Sequence, residues 1–210
     1  MTSELAVYGG APAVKGGMAR YNSIGEDDVA AVSRAITNGP LSGFLGGRPF
    51  GGPLVQRLEQ LWAVKFKVQY AIACNSATSG LLAACAAAGI GRGDLVATTP
   101  TTMSATSAAP KLLGASLHYC DVEPYTFTMW GPIPADTKAV VITNLFGAPG
   151  ALTQLRMDCD RHHRIMIEDN AQAPLAMENG QYAGTIGHLG VFSLNVHKHL
   201  QCGEGGVVVT

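Results

Sequence analysis

The chain has 210 residues, a formal net charge of −1, 47% hydrophobic residues and only 14% charged ones. That composition supports a sizeable core and excludes intrinsic disorder, and a near-zero charge with no basic block argues against nucleic acid as a partner. No apolar run reaches the roughly 18 residues of a membrane span. The start, Met1-Thr2-Ser3-Glu4, lacks the features of a secretory signal. Cys74, Cys85, Cys120, Cys159 and Cys202 are odd in number and widely spread, and read as reduced thiols of a cytoplasmic protein.

The stretch up to about Tyr21 reads as irregular. Glu26 to Thr37 reads as a helix with acids in its first turn, stopped by Asn38-Gly39-Pro40. A Gly-rich loop covers residues 39–52, and Pro53 to Phe66 is a second helix. Pro53 suits its first position, and Leu54, Leu58, Leu61 and Trp62 form its apolar face. From Gln69 the texture alternates. Strands are predicted at Tyr70–Cys74, Asp94–Thr99, Ser116–Cys120, Lys138–Thr143, Arg164–Glu168, Gly190–Leu194 and Gly206–Thr210. Helices are predicted at Thr78–Ala88, Ser104–Leu113 and Ala151–His163. Apolar strands separated by helices define an α/β fold with a mainly parallel sheet flanked by helices on both faces. The chain divides into residues 1–52, a helix and a Gly-rich loop, and residues 53–210, the sheet domain.

Ligands of such sheets bind at the carboxyl ends of the strands. Three polar groups follow strands and are expected on one edge. Ser76-Ala77-Thr78 opens a helix, so its free N–H groups and two hydroxyls form a phosphate cradle; an ordinary Ser/Thr cap reads the same residues. Asp169 ends a buried run, where a carboxylate needs something positive to meet it, such as a protonated ring nitrogen; a helix cap or salt bridge is the alternative. Gln172 points the same way if a helical turn follows. Lys198 lies five residues after Ser193, where desolvation turns a lysine into a nucleophile; an exposed loop lysine is the alternative. A phosphate cradle, an acid for a pyridine nitrogen and a Schiff-base lysine together describe a pyridoxal 5′-phosphate site.

These residues carry a family resemblance. Asn75-Ser76-Ala77-Thr78-Ser79-Gly80-Leu81, Gly93-Asp94, Asp121-Val122-Glu123, Leu145-Phe146-Gly147 and Glu168-Asp169-Asn170-Ala171-Gln172-Ala173 resemble the DegT/StrS family of sugar aminotransferases. So do Gly184-Thr185-Ile186-Gly187, Phe192-Ser193, Lys198 and Gly203-Glu204-Gly205-Gly206, in the same order. The resemblance runs from about Gly39 to the last residue. It implies the large domain of a fold type I pyridoxal phosphate enzyme. Lys198 then matches the lysine that forms the Schiff base and shuttles protons, and Asp169 the acid on the pyridine nitrogen. Gln172 matches the residue beside the ring hydroxyl. Ala77 (through its backbone), Thr78 and Ser193 match the phosphate-binding positions, beside the Ser76 hydroxyl of the cradle. Met103 stands two residues before Ala105-Thr106, where the family has an aromatic ring stacked on the cofactor; its thioether packs less rigidly.

The implied reaction moves an amino group from Glu or Gln to a keto sugar or cyclic ketone, as in sugar or aminocyclitol biosynthesis. Relatives that carry His in place of the lysine are dehydratases, so Lys198 favours transamination. His197 and His199, which flank Lys198, are not general in the family. Family members are about twice as long. Their second half adds a small domain, substrate contacts and, across a homodimer, an Asn on the neighbour's phosphate. This chain is therefore expected to be a fragment or one part of a split protein needing a complementing C-terminal half. Its final strand is expected to leave apolar surface uncovered. Three rival readings exist. A non-catalytic docking half-domain is one. A zinc site from Cys159, His162 and His163 or from His197, His199 and Cys202 is another. The third, a nucleotide-binding domain, lacks both a G-x-G-x-x-G turn after its first strand and a P-loop.

Overall fold

A computed structural model describes residues 4–16, 23–43 and 51–210. The remaining part of the Gly-rich loop, residues 44–50, lies outside the described residues. Elements follow in chain order: α1 (Glu26–Asn38), α2 (Pro53–Phe66), β1 (Ala71–Cys74), α3 (Ala77–Ala87), β2 (Leu95–Thr98), α4 (Ser104–Leu112), β3 (Ser116–Tyr119), β4 (Asp121–Val122), β5 (Met129–Trp130), β6 (Thr137–Thr143), α5 (Leu152–Arg161), β7 (Ile165–Asp169), β8 (Met177–Glu178), β9 (Gln181–Tyr182), β10 (Leu189–Ser193) and β11 (Gly206–Val209). The hairpins β4–β5 and β8–β9 are two-residue pairings too short to register as periodic runs.

Seven strands form one sheet in the order β1-β11-β10-β7-β6-β2-β3. The run from β10 to β3 is parallel, and β11 is antiparallel to both of its neighbours, β10 and β1. Alternation along β6 explains the layers. Ala139 and Val141 face α3 and α4, where they pack with Leu81, Cys85 and Ala109. Val140 and Ile142 face α5, where they meet Leu152, Cys159 and Met166. A strand buried on both faces reads as a continuous apolar run, which is why β6 and β7 carry no polar alternation.

Helix α2 covers β10 and β11 from the α5 side. Trp62 and Phe66 pack on Phe192, Val207 and Val209. The ring centroids of Trp62 and Phe66 are 5.0 Å apart, and those of Trp62 and Phe192 5.3 Å; such pairs add about 0.5–1.5 kcal/mol each beyond area burial. Of the expected face, Trp62 is buried and Leu58 lies at its margin, whereas Leu54 and Leu61 stay outside it and Phe66 joins it. Leu54 is 64% and Leu61 50% exposed. Their positions fall a quarter-turn off the contact, and Phe66 takes the place next to the sheet.

The expectation for the last strand is also corrected. β11 is an interior strand, inserted between β1 and β10, and Val207, Val208 and Val209 are all buried. It is covered on one face by α3 and on the other by α2. Exposed apolar side chains lie elsewhere, among other places on α1. That helix has no buried residue, and it exposes Val29, Val32 and Ile36. Among the described residues no helix is long and apolar enough to cross a membrane. The five cysteines are all free thiols.

Candidate active site

The carboxyl ends of β1, β6, β7 and β10 share one sheet edge, and a pocket of about 310 Å³ opens there. Its walls include Ser76, Ala77, Thr78, Met103, Asp169, Gln172, Ser193 and Lys198, so every site residue expected from the sequence reaches one cavity. The volume is at the low end for small-molecule sites, which run from roughly 300 to 1,000 Å³.

The cradle side is built by α3. Ser76 is its N-cap, in extended conformation, and its Oγ accepts the Ser79 N–H at 3.1 Å. The Ser76 hydroxyl is thus engaged as a cap, and also lies 3.0 Å from Ser79 Oγ. The N–H groups of Ala77 and Thr78 belong to the first turn, which has no intrahelical acceptor, and both residues line the pocket. They are the free donors of an anion site at a helix start. Two glycines make room for this arrangement. A Cβ on Gly80 would stand 2.9 Å from Val191 Cγ1, which is why α3 can lie flat on the sheet. A Cβ on Gly206 would stand 2.7 Å from the Ala77 nitrogen, so the start of β11 touches the cradle backbone directly.

Asp169 closes β7 and is 3% exposed. Its Oδ2 accepts the Thr106 hydroxyl at 2.6 Å and its Oδ1 the Ala171 N–H at 3.2 Å. Burial pushes its carboxyl above the ordinary range. The Thr106 and Ala171 donors and the positive charge of Lys198 pull it back. The one-residue step along β7 sends two adjacent acids to opposite faces and different tasks. Asp169 faces the pocket, whereas Glu168, fully buried, accepts N–H groups from Gly184 (2.6 Å), Ile186 (2.7 Å) and Gly187 (2.6 Å) and the Asn144 amide (3.1 Å). Glu168 ties loop 184–187 to the end of β7.

Lys198 is half-buried on a turn after β10. Asn195 organises that turn: its carbonyl accepts the Lys198 N–H at 2.8 Å and its Oδ1 the His197 N–H at 3.1 Å. The Asn195 amide donates to Glu204 Oε1 at 2.7 Å, across a ladder closed by Leu194 N–H to Gly205 O and Val196 N–H to Gly203 O, each 2.8 Å. Ser193 Oγ accepts the Asn195 N–H at 3.3 Å. Gln172 Oε1 accepts the Phe146 N–H at 3.1 Å, which leaves its amide nitrogen to donate. Met103, the N-cap residue of α4, is 62% exposed at the pocket rim.

The pocket also gathers residues without an expected role: Thr102, Thr143, Asn195, His197 and Glu204. Thr143 is paired with Asp169 across β6 and β7, a register that no motif spells out. Glu204 belongs to the Gly203-Glu204-Gly205-Gly206 motif, and only its hydrogen bond with Asn195 reveals what the two residues hold. Cys159 is fully buried under the sheet. Among the described residues no group of three His, Cys, Asp or Glu side chains is placed to hold a metal ion.

The strand order, with one antiparallel strand inserted and the pocket on the carboxyl edge, defines the large domain of a fold type I pyridoxal-phosphate-dependent transferase. The chain belongs to the DegT/DnrJ/EryC1/StrS aminotransferase family, whose profile matches residues 25–210. It is 32% identical over 217 residues to an L-glutamine:2-deoxy-scyllo-inosose aminotransferase of Streptomyces paromomycinus, an alignment covering 100% of this chain and 50% of the relative. The solved aminotransferase of Psychrobacter cryohalolentis superposes with a TM-score of 0.82 at 30% identity, over 91% of this chain and 49% of that one. A GDP-4-keto-6-deoxymannose-3-dehydratase with a trapped PLP-glutamate geminal diamine superposes with a TM-score of 0.72 at 26% identity, over 76% and 44% of the two chains. The chain spans about half the length of the curated relatives it matches.

Proposed function

We propose that the chain carries the cofactor-binding part of an aminotransferase that moves an amino group from glutamate or glutamine to a keto sugar or cyclic ketone. The observation that carries this reading is the pairing of Asp169 with Lys198. A buried carboxylate on a strand end and a lysine on the next turn face the same pocket, opposite a helix start with free N–H donors. Pyridoxal 5′-phosphate fits that donor set. Ala77 and Thr78 N–H groups with the Thr78 and Ser193 hydroxyls suit its phosphate, Asp169 its ring nitrogen, Gln172 its ring hydroxyl, and Met103 a ring face. When bound, the cofactor supplies an electron sink for the carbon that loses its proton.

The chain's own residues would then divide the work. Asp169 holds a proton on the facing ring nitrogen, because a buried carboxylate without a positive partner is unfavourable. Lys198 Nζ is the covalent holding point and the base that carries the proton between carbons. The Asn195–Glu204 ladder keeps that amine over the pocket. The cyclic 2-deoxy-scyllo-inosose and the glutamine in the relative's name motivate the substrate class. Residues 53–210 serve in this reading as the cofactor domain and residues 1–52 as its preceding arm. The working enzyme sits in the cytoplasm as a homodimer or with a complementing C-terminal half.

The test is borohydride reduction after addition of pyridoxal phosphate, followed by peptide mass spectrometry. The wild-type chain is expected to show a visible absorbance band and a reduced adduct on the peptide containing Lys198. Lys198→Ala should lose both while keeping its circular dichroism. An adduct of equal yield in Lys198→Ala would overturn the assignment.

A further inference from the structure

The wall of the pocket holds a chain of three threonine hydroxyls that ends on Asp169. Thr106 Oγ1 lies 2.6 Å from Asp169 Oδ2, Thr102 Oγ1 lies 2.8 Å from Thr106 Oγ1, and Thr143 Oγ1 lies 2.8 Å from Thr102 Oγ1. The three come from different elements: Thr102 from the segment before α4, Thr106 from the first turn of α4, and Thr143 from the last position of β6. Thr106 is fully buried and Thr143 7% exposed, so bulk water does not compete for the inner bond to Asp169, while Thr102 is half-buried at the pocket wall.

Each hydroxyl has one proton to give and an oxygen that accepts. An ionised carboxylate only accepts, so Thr106 gives its proton to Asp169. Its oxygen then takes the Thr102 proton, and the Thr102 oxygen takes the Thr143 proton. All three O–H dipoles point inward, toward the negative charge, and each polarises the next. A proton on Asp169 Oδ2 would face the Thr106 hydroxyl and reverse the chain, and a proton on Oδ1 would leave Thr106 donating to a neutral carbonyl oxygen, a weaker bond than the one to a carboxylate. The hydroxyls therefore do for Asp169 what water does for an exposed carboxylate, without the freedom to reorient. The 2.6 Å inner bond has the length of a charge-assisted O–H···O⁻ contact.

We propose that the Thr143–Thr102–Thr106 hydroxyl chain is a positioning device that keeps Asp169 ionised and aimed into the pocket, and through it sets how firmly a protonated ring nitrogen is held there. Only the last clause rests on the cofactor reading; the first is a property of the carboxylate itself. The titratable groups that share the pocket with Asp169 are Lys198, His197 and Glu204 from the connection between β10 and β11, while the lining from α3, α4 and β6 has none. Glu168, its neighbour on β7, is engaged by loop 184–187.

The test is a carboxyl ¹³C NMR titration of the cofactor-free full chain labelled at aspartate, with Asp169→Asn used to assign the resonance. Thr106→Val removes the inner bond and should raise the Asp169 midpoint by about one pH unit, a tenfold change worth about 1.4 kcal/mol. Thr102→Val touches no atom of Asp169, yet should raise it by a few tenths of a unit, since each link strengthens the next by roughly 10–30%. Thr102→Ser should restore the wild-type midpoint, which a purely steric role does not predict. A midpoint unmoved in both Thr106→Val and Thr102→Val overturns the proposal, as does a Thr102→Val shift that Thr102→Ser fails to reverse. If Thr106→Val does not fold, the Thr102 pair decides alone. Ring-¹⁵N NMR of added labelled pyridoxal phosphate separates the two readings. Failure of the cofactor to bind wild-type protein, with the aspartate shifts as expected, refutes the cofactor site and leaves the hydroxyl chain standing.

Discussion

Removing the Glu168 carboxylate is expected to unfold the site edge from beneath. In Glu168→Ala the N–H groups of Gly184, Ile186 and Gly187 and the amide of Asn144 lose an acceptor at a position with no solvent exposure. Each buried group left unpaired costs about 1–3 kcal/mol. Four would sum to roughly 4–12 kcal/mol, but the vacated space is polar and large enough for water to satisfy some of them. A net loss of about 4 kcal/mol is the working value, which for a domain of this size lowers Tm by roughly 8–16 °C. Glu168→Gln keeps the shape and one acceptor oxygen but turns an NH2 against backbone donors, so its loss should fall between wild type and alanine. The assay is thermal unfolding at fixed pH, followed by circular dichroism, on all three proteins. Asp169 sits next along the strand, so the alanine variant should also weaken cofactor uptake at temperatures where it remains folded. A Tm within about 3 °C of wild type for Glu168→Ala would refute the argument, because it would mean that the three N–H groups do not depend on this carboxylate.

Two further outcomes follow from packing around the pocket. Gly206→Ala places a methyl 2.7 Å from the Ala77 nitrogen and 2.7 Å from the Ser76 carbonyl carbon, both backbone atoms that cannot swing aside. Pyridoxal phosphate affinity, read by absorbance titration, should drop at least about tenfold, equivalent to roughly 1.4 kcal/mol, and an unchanged Kd would sink the cradle assignment. Cysteine alkylation at pH 8 should be ordered by burial. Burial pushes Cys85 up to about 12 and Cys159 up to about 11, leaving a Cys85 thiolate fraction of about 10⁻⁴ at that pH. Cys202 is exposed and should be labelled first, with Cys85 and Cys159 protected until denaturant is added; labelling of native Cys85 as fast as Cys202 would contradict the packing of α3 on the sheet.

The sequence by itself determined the alternation of strands and helices, because apolar runs bounded by glycine and polar caps are local signals. It also singled out eight of the residues that line the pocket. Ser76-Ala77-Thr78 and Lys198 follow strands and Asp169 and Ser193 end them, and strand ends of a parallel sheet share an edge whatever the strand order. The family was legible for the same reason, since its motifs sit at those ends. Tertiary structure alone decided the rest. Gly206–Val209 reads as a terminal apolar strand, yet it is inserted antiparallel between β1 and β10, a pairing set by long-range hydrogen bonds and by the cover of α2 and α3. Leu54 and Leu61 share a helical stripe with Leu58 and Trp62, but the angle at which α2 meets the sheet leaves these two leucines outside and buries Phe66 beside Trp62. Glu168 and Asp169 are adjacent acids of similar chemistry. The pleat sends one to a loop of backbone donors and the other to a pocket, and only the register of β7 against β6 and β10 says which is which. Thr102, Thr106 and Thr143 lie up to 41 positions apart. Their hydroxyl chain exists because β6 and the start of α4 converge on the same carboxylate, a juxtaposition that no local pattern encodes.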